Sequence, residues 1–114
     1  MSDSEQGRIT VAPDVLVAIT RMAALSVAGV SNMAQVTGGV NRLFTRGVND
    51  GVRIEVSDNT VTASLYLILK PDVNIRDVSR NVQSQVARAL QEMVGMDVGS
   101  IEIHIEDIDY GEEA

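Results

Sequence analysis

Residues 52–69 read VRIEVSDNTVTASLYLIL, and this stretch constrains the fold more than any other. Val52, Ile54 and Val56 alternate with Arg53, Glu55 and Ser57; beyond the polar pair Asp58-Asn59 the alternation resumes with Val61, Ala63, Leu65, Leu67 and Leu69. A period of two marks a half-buried strand, and two such strands about a polar pair predict a β-hairpin. A two-residue loop at Asp58-Asn59 sets Val56 against Val61, Ile54 against Ala63 and Val52 against Leu65, so that the apolar pairs share one face. Both loop residues tolerate the positive φ that such turns require. The apolar face needs a cover, and the amphipathic segments on either side of the hairpin can supply it. On the other face stand Arg53, Glu55, Thr62 and Ser64, followed by Tyr66 and Ile68.

Upstream, Arg8-Ile9-Thr10-Val11 alternates briefly and predicts a short first strand. Ala12-Pro13-Asp14 then opens a helix, with proline in the first turn and an acidic side chain at the positive end of the helix dipole. Val15, Leu16, Ile19, Met22, Ala23 and Val27 recur at helical spacing, and Gly29 is placed to end the segment. Downstream, Lys70-Pro71-Asp72 stops the second hairpin strand and Asn74 caps a second helix, with Asp77 three residues on. The apolar stripe of this helix runs Ile75, Val78, Val82, Val86, Ala89, Leu90 and Met93, and Gly95 ends it. Ile101, Ile103 and Ile105 alternate with Glu102, His104 and Glu106 as a last strand. The resulting order is (β)αββαβ: an α/β chain of the α+β kind, a two-layer sandwich with a small mixed sheet and both helices on one face. The helix between the hairpin and the last strand makes those strands parallel if they share a sheet. Which hairpin strand borders the last one is left open by the pattern.

A chain of 114 residues accommodates one core. We divide it into a lead at 1–6 expected to be disordered, a single domain at 7–108 with a long loop at 31–50, and an acidic tail at 109–114. Without cysteine, thiolate catalysis and cysteine-bound metal are excluded. The opening MSDSEQGR lacks the basic and apolar regions of a secretion signal, which predicts a cytoplasmic protein. No apolar run reaches the ~20 residues of a membrane helix, so contact with a membrane is expected to be peripheral or through a partner. A net charge of −7 disfavours nucleic acid as a ligand, as does the near absence of aromatic residues able to stack on bases.

Within the loop, Arg42, Leu43, Phe44 and Arg46 form a locally basic and apolar patch in an acidic chain. Such a cluster docks onto a partner or interface, or folds back to plug the sheet edge; the two readings stand level. Tyr66 and Ile68 are candidates for self-association, since apolar side chains on an open sheet face can meet a second copy. His104 between Glu102 and Glu106 presents three potential metal ligands at alternating positions. Same-face neighbours ~7 Å apart do not converge on an ion, however, and a solvated strand face is the expected outcome. The acids Glu106, Asp107, Asp109, Glu112 and Glu113 lack the glycine-punctuated loop of a calcium site. Arg76, Arg80 and Arg88 line one side of the second helix and are expected to be solvated. Gly38-Gly39 has neither the lysine nor the preceding strand of a phosphate loop, and no nucleophile sits in a catalytic context. No catalytic residue, metal or cofactor is therefore expected.

Three segments, GRITVAPDVLVAITRMAALSVAGV, the hairpin, and VNIRDVSRNVQSQVARALQEMVGMDVGSIEIHIEDI, together resemble the alkaline shock protein 23 family of bacterial envelope stress response proteins. The Val-Gly-Met-Asp-Val turn into the last strand is the most specific part. Gly-x-Ile-x-Val followed by Ala-Pro and the Ala-Ala helix adds to it. The resemblance implies a non-enzymatic cytoplasmic protein that works at the inner side of the cell envelope, held there by membrane-anchored partners and by self-association. It brings no catalytic residues with it. The expected function is thus an adaptor or scaffold, a homo-oligomer without a membrane span of its own; the alternative is a small regulatory subunit of a cytoplasmic kinase or lipid-metabolic enzyme.

Overall fold

A computed structural model describes residues 9–35 and 51–111. Helix α1 (Pro13–Leu25) is followed by strand β1 (Val30–Met33), the hairpin β2 (Val52–Ser57) and β3 (Thr60–Leu69), helix α2 (Ile75–Ala89) with a π-helical last turn (Leu90–Val94), and strand β4 (Asp97–Ile108). The hairpin has the register dictated by its alternation: Val52 pairs with Leu65, Ile54 with Ala63 and Val56 with Val61. Asp58 takes the positive φ of the turn, 59°.

Strand β3 organises the sheet. Along one side β4 pairs with it in parallel from Thr60↔Asp97 to Leu69↔Ile108. On its other side two antiparallel strands lie end to end, β2 against residues 60–65 and β1 against residues 67–69. The sheet is mixed and the architecture is the expected two-layer α+β sandwich. Its short fourth strand, however, follows the first helix instead of preceding it. Residues 9–12 carry no strand, and Val30–Met33, which reaches into the loop expected at 31–50, is β1. The reason lies in lengths: β3 has 10 residues and β2 has 6, so the end of β3 would carry unpaired N–H and C=O groups without β1.

All odd residues of β3 from Val61 to Leu69 are fully buried. They meet Leu16, Ile19 and Ala24 of α1 and Val78, Val82 and Val86 of α2, together with Leu90 in the π-helical turn. The buried side of α1 is rotated from the expected stripe. Thr20 and Ala24 face the core, whereas Val15 and Met22 are exposed. In α2 the expected stripe holds from Val78 to Leu90, but Ile75 and Met93 are exposed. The π-helical turn accounts for Met93, because a wider turn advances the buried phase to Val94, which packs against the core. Asn74 caps α2 as expected: Asp77 N–H donates to its Oδ1 at 3.0 Å. Gly95 ends the helical segment with φ 76°.

Candidate interaction face

Both helices lie on one side of the sheet, and among the described residues no helix covers the other side. Its surface follows from the pleat: Thr62, Ser64, Tyr66 and Ile68 alternate with the buried residues of β3 and are only partly covered. Parallel pairing sets Ser64 beside Glu102, Tyr66 beside His104 and Ile68 beside Asp107. On the far side of β3, Arg53 stands opposite Ser64 and Asn32 opposite Ile68. The open face thus passes from a charged half (Arg53, Glu55, Glu102) to an aromatic and apolar half (Tyr66, His104, Ile68).

The Tyr66 and His104 rings stack, with centroids 4.5 Å apart and planes 9° from parallel. His104 Nε2 lies 3.7 Å from Glu102 Oε1, and Arg53 Nη2 lies 3.7 Å from Glu55 Oε2. Tyr66 is therefore anchored by a neighbour and presents a preformed surface. The expected run Glu102, His104, Glu106 is broken by a bulge, since the register steps from Leu67↔Ile105 to Ile68↔Asp107 and omits Glu106. Only Glu102 of the two glutamates stays in register beside His104. The sequence reading missed the role of His104 as the partner of Tyr66. The signal that reveals it is the parallel register, which requires knowing that β4 borders β3.

Beyond Ile68, Ser31 Oγ donates to Asp109 Oδ2 at 2.6 Å and Gly111 N–H donates to Asp109 Oδ1 at 3.0 Å. These two donors, the Ser31 hydroxyl foremost, hold the Asp109 carboxyl below its ordinary pKa. Asp109 thereby ties the end of β4 to β1 across β3. The acids read as a tail are thus in part structural, while Glu112 and Glu113 lie outside the described residues. Arg76, Arg80 and Arg88 are exposed along α2, with Arg88 Nε 3.2 Å from Glu92 Oε2 one turn on. Arg42, Leu43, Phe44 and Arg46 lie outside the described residues. Among the described residues no group of three or more His, Asp or Glu side chains is placed to hold a metal ion, and no helix is long and apolar enough to cross a membrane.

These features define a small two-layer α+β domain with one sheet face under both helices and the other, among the described residues, without a helix over it. The model of the alkaline shock protein 23 family, described as having a cell envelope-related function, matches residues 1–110, and the chain belongs to that family. It is 30% identical to the uncharacterized protein YqhY of Bacillus subtilis, over 98% of this chain and 84% of that one. It is also 30% identical to the uncharacterized protein Spy1535 of Streptococcus pyogenes, over 90% of this chain and 79% of that one. Among solved structures, a zinc form of a variant MamM C-terminal domain superposes with a TM-score of 0.54 at 13% identity, over 89% of this chain and 91% of that one. At that identity the likeness shows the fold alone.

Proposed function

We propose that this chain is a non-enzymatic adaptor or scaffold of the cell envelope, acting by self-association and partner binding. The observation that carries the reading is the sheet face that neither helix covers, on which a stacked Tyr66–His104 pair adjoins Ile68. A flat, preorganised aromatic and apolar patch suits contact with a second protein surface better than enclosure of a small substrate. Membership of a family with a cell envelope-related function supports placing that contact at the envelope. In this reading the protein is cytoplasmic and lies at the inner face of the membrane through a membrane-anchored partner, with Arg42, Leu43, Phe44 and Arg46 contacting that partner and Tyr66 and Ile68 contacting a second copy.

The test is light scattering over a concentration series, wild type beside a Tyr66→Ser, Ile68→Ser double variant. Mass that rises with concentration, and rises less in the variant, supports the reading. A wild type that is monomeric throughout refutes self-association and shifts the balance to a one-to-one regulatory subunit.

A further inference from the structure

The sheet has a second feature besides the face that the helices leave uncovered. Strand β4 is 12 residues long, and among the described residues it pairs with β3 alone, so it runs along the boundary of the sheet as an edge strand. Exposed edge strands present a row of unpaired N–H and C=O groups that templates another strand, and proteins blunt them with bulges and charges. Here the bulges interrupt the pairing at Gly99 and Glu106, leaving residues 100–105 as a regular segment between them.

The direction of the backbone groups in that segment is marked by a side chain. Gln83 Nε2 of α2 donates to the Ile101 carbonyl at 2.9 Å, which identifies that carbonyl as facing away from β3. Because successive residues of a strand turn their N–H and C=O groups to opposite sides, Ile103 and Ile105 face outward as well. At the ends of β4, Asp97 N–H donates to Asn59 O and Asp109 N–H to Leu69 O, so the two flanks point back toward β3. Outward-facing groups thus alternate over Ile101, Ile103 and Ile105, with partly buried side chains beneath them.

We propose that two copies of this chain pair antiparallel along β4 about a two-fold axis at Ile103, joining two sheets into one. In that register Ile103 faces Ile103 of the second copy and Ile101 faces Ile105, both as hydrogen-bonded pairs that use the outward groups. Glu102 faces His104 of the second copy in the intervening non-hydrogen-bonded pair, where side chains approach most closely. Self-complementarity selects this register. An axis at Glu102 sets like charges face to face, and an axis at His104 sets Glu102 against Glu106. The Gln83 amide holds the Ile101 carbonyl in the single chain and yields it to the incoming Ile105 N–H. His104 is faced by Tyr66 of β3 and Glu102 of its own strand, and pairing adds a second glutamate to it. Both open faces then lie on the same side of the joined sheet, so that contacts through Tyr66 and Ile68 act between dimers. The inference rests on the self-association reading and specifies its geometry.

The chain has no cysteine, so single cysteines report the register directly. Glu102→Cys and His104→Cys chains are prepared separately, each checked for wild-type melting, then oxidised alone and as a mixture. Opposite residues in a non-hydrogen-bonded pair have Cα atoms ~4.5 Å apart, within disulfide range, whereas Glu102 and its own copy are diagonal neighbours at ~7–8 Å, outside it. The mixture is expected to form a covalent dimer at least ~10-fold faster than either chain alone, because only the mixture has both halves of the in-range pair. Equal rates in all three samples overturn the register. A mixture that gives no covalent dimer, at a concentration where light scattering shows assembly, overturns the edge pairing and leaves self-association standing. A monomer at every concentration overturns both.

Discussion

Gly29 sits between α1 and β1 with φ +101°, and its carbonyl accepts the Lys70 N–H at 2.8 Å. A Cβ on this residue would lie 2.7 Å from Val78 Cγ2, in a core where Val78 is 6% exposed. Gly29→Ala therefore has two separable costs. Forcing an L side chain to positive φ costs ~1–2 kcal/mol. Displacing Val78, whose branched side chain is stiff on a helix, costs a further ~1–3 kcal/mol. The sum, ~2–5 kcal/mol, is a large part of the ~5–15 kcal/mol that holds a typical domain together. Val78→Ala on its own removes two buried methyl groups and leaves a cavity, for ~2–3 kcal/mol. In the Val78→Ala background the clash is gone, and Gly29→Ala should cost only the ~1–2 kcal/mol of its backbone strain. Urea unfolding of the four proteins, followed by far-ultraviolet circular dichroism, should thus show a coupling of ~1–3 kcal/mol between the two sites. An equal cost of Gly29→Ala in both backgrounds would refute the close approach of α2 to the α1–β1 junction.

Two further outcomes follow from single hydrogen bonds. Asn74→Ala removes the acceptor for Asp77 N–H and should lower stability by ~1 kcal/mol in the same urea assay, with Asn74→Asp close to wild type. Ser31→Ala removes the main cause of the lowered Asp109 pKa, so the carboxyl resonance of Asp109 in a nuclear magnetic resonance titration should move toward the ordinary aspartate value. A depressed folded-state pKa adds stability that is present above the unfolded pKa and is lost as pH falls through the folded one. The acid limb of the wild type's stability should therefore extend to lower pH than that of Ser31→Ala. An unchanged Asp109 titration would show that Ser31 is not its partner.

How far the sequence determines the fold differs from element to element, and the reason is locality. In the hairpin, turn and alternation act over neighbouring residues, and Val52↔Leu65, Ile54↔Ala63 and Val56↔Val61 follow from the pattern alone. Asn74 was legible for the same reason, as a cap works within one turn. Strand β1 was not, because Val30–Met33 is four residues of mixed polarity with an irregular register, and it pairs only because β3 outlasts β2. The excess length of β3 was the available signal. Met93 was misassigned because nothing in LQEMV distinguishes a π-helical turn from another turn of α-helix. At the open face Tyr66 and Ile68 were found from the pleat, but the stacking of His104 depended on a parallel neighbour 38 residues away in the chain.

The arrangement of β1 and β2 along one side of β3 has a consequence for how this domain can change. Ala34 N–H donates to Tyr66 O at 2.8 Å, and a Cβ on Gly51 would lie 2.5 Å from Ala34 O and 2.8 Å from Tyr66 O. The chain leaves the sheet and rejoins it at what is almost the same point. Closing an excursion between two such ends costs only ~0.6 kcal/mol more for each doubling of its length. With Ala34 and Gly51 meeting at one point on β3, a change in the length of the chain that joins them costs little free energy and leaves the pairing of β1 and β2 with β3 untouched.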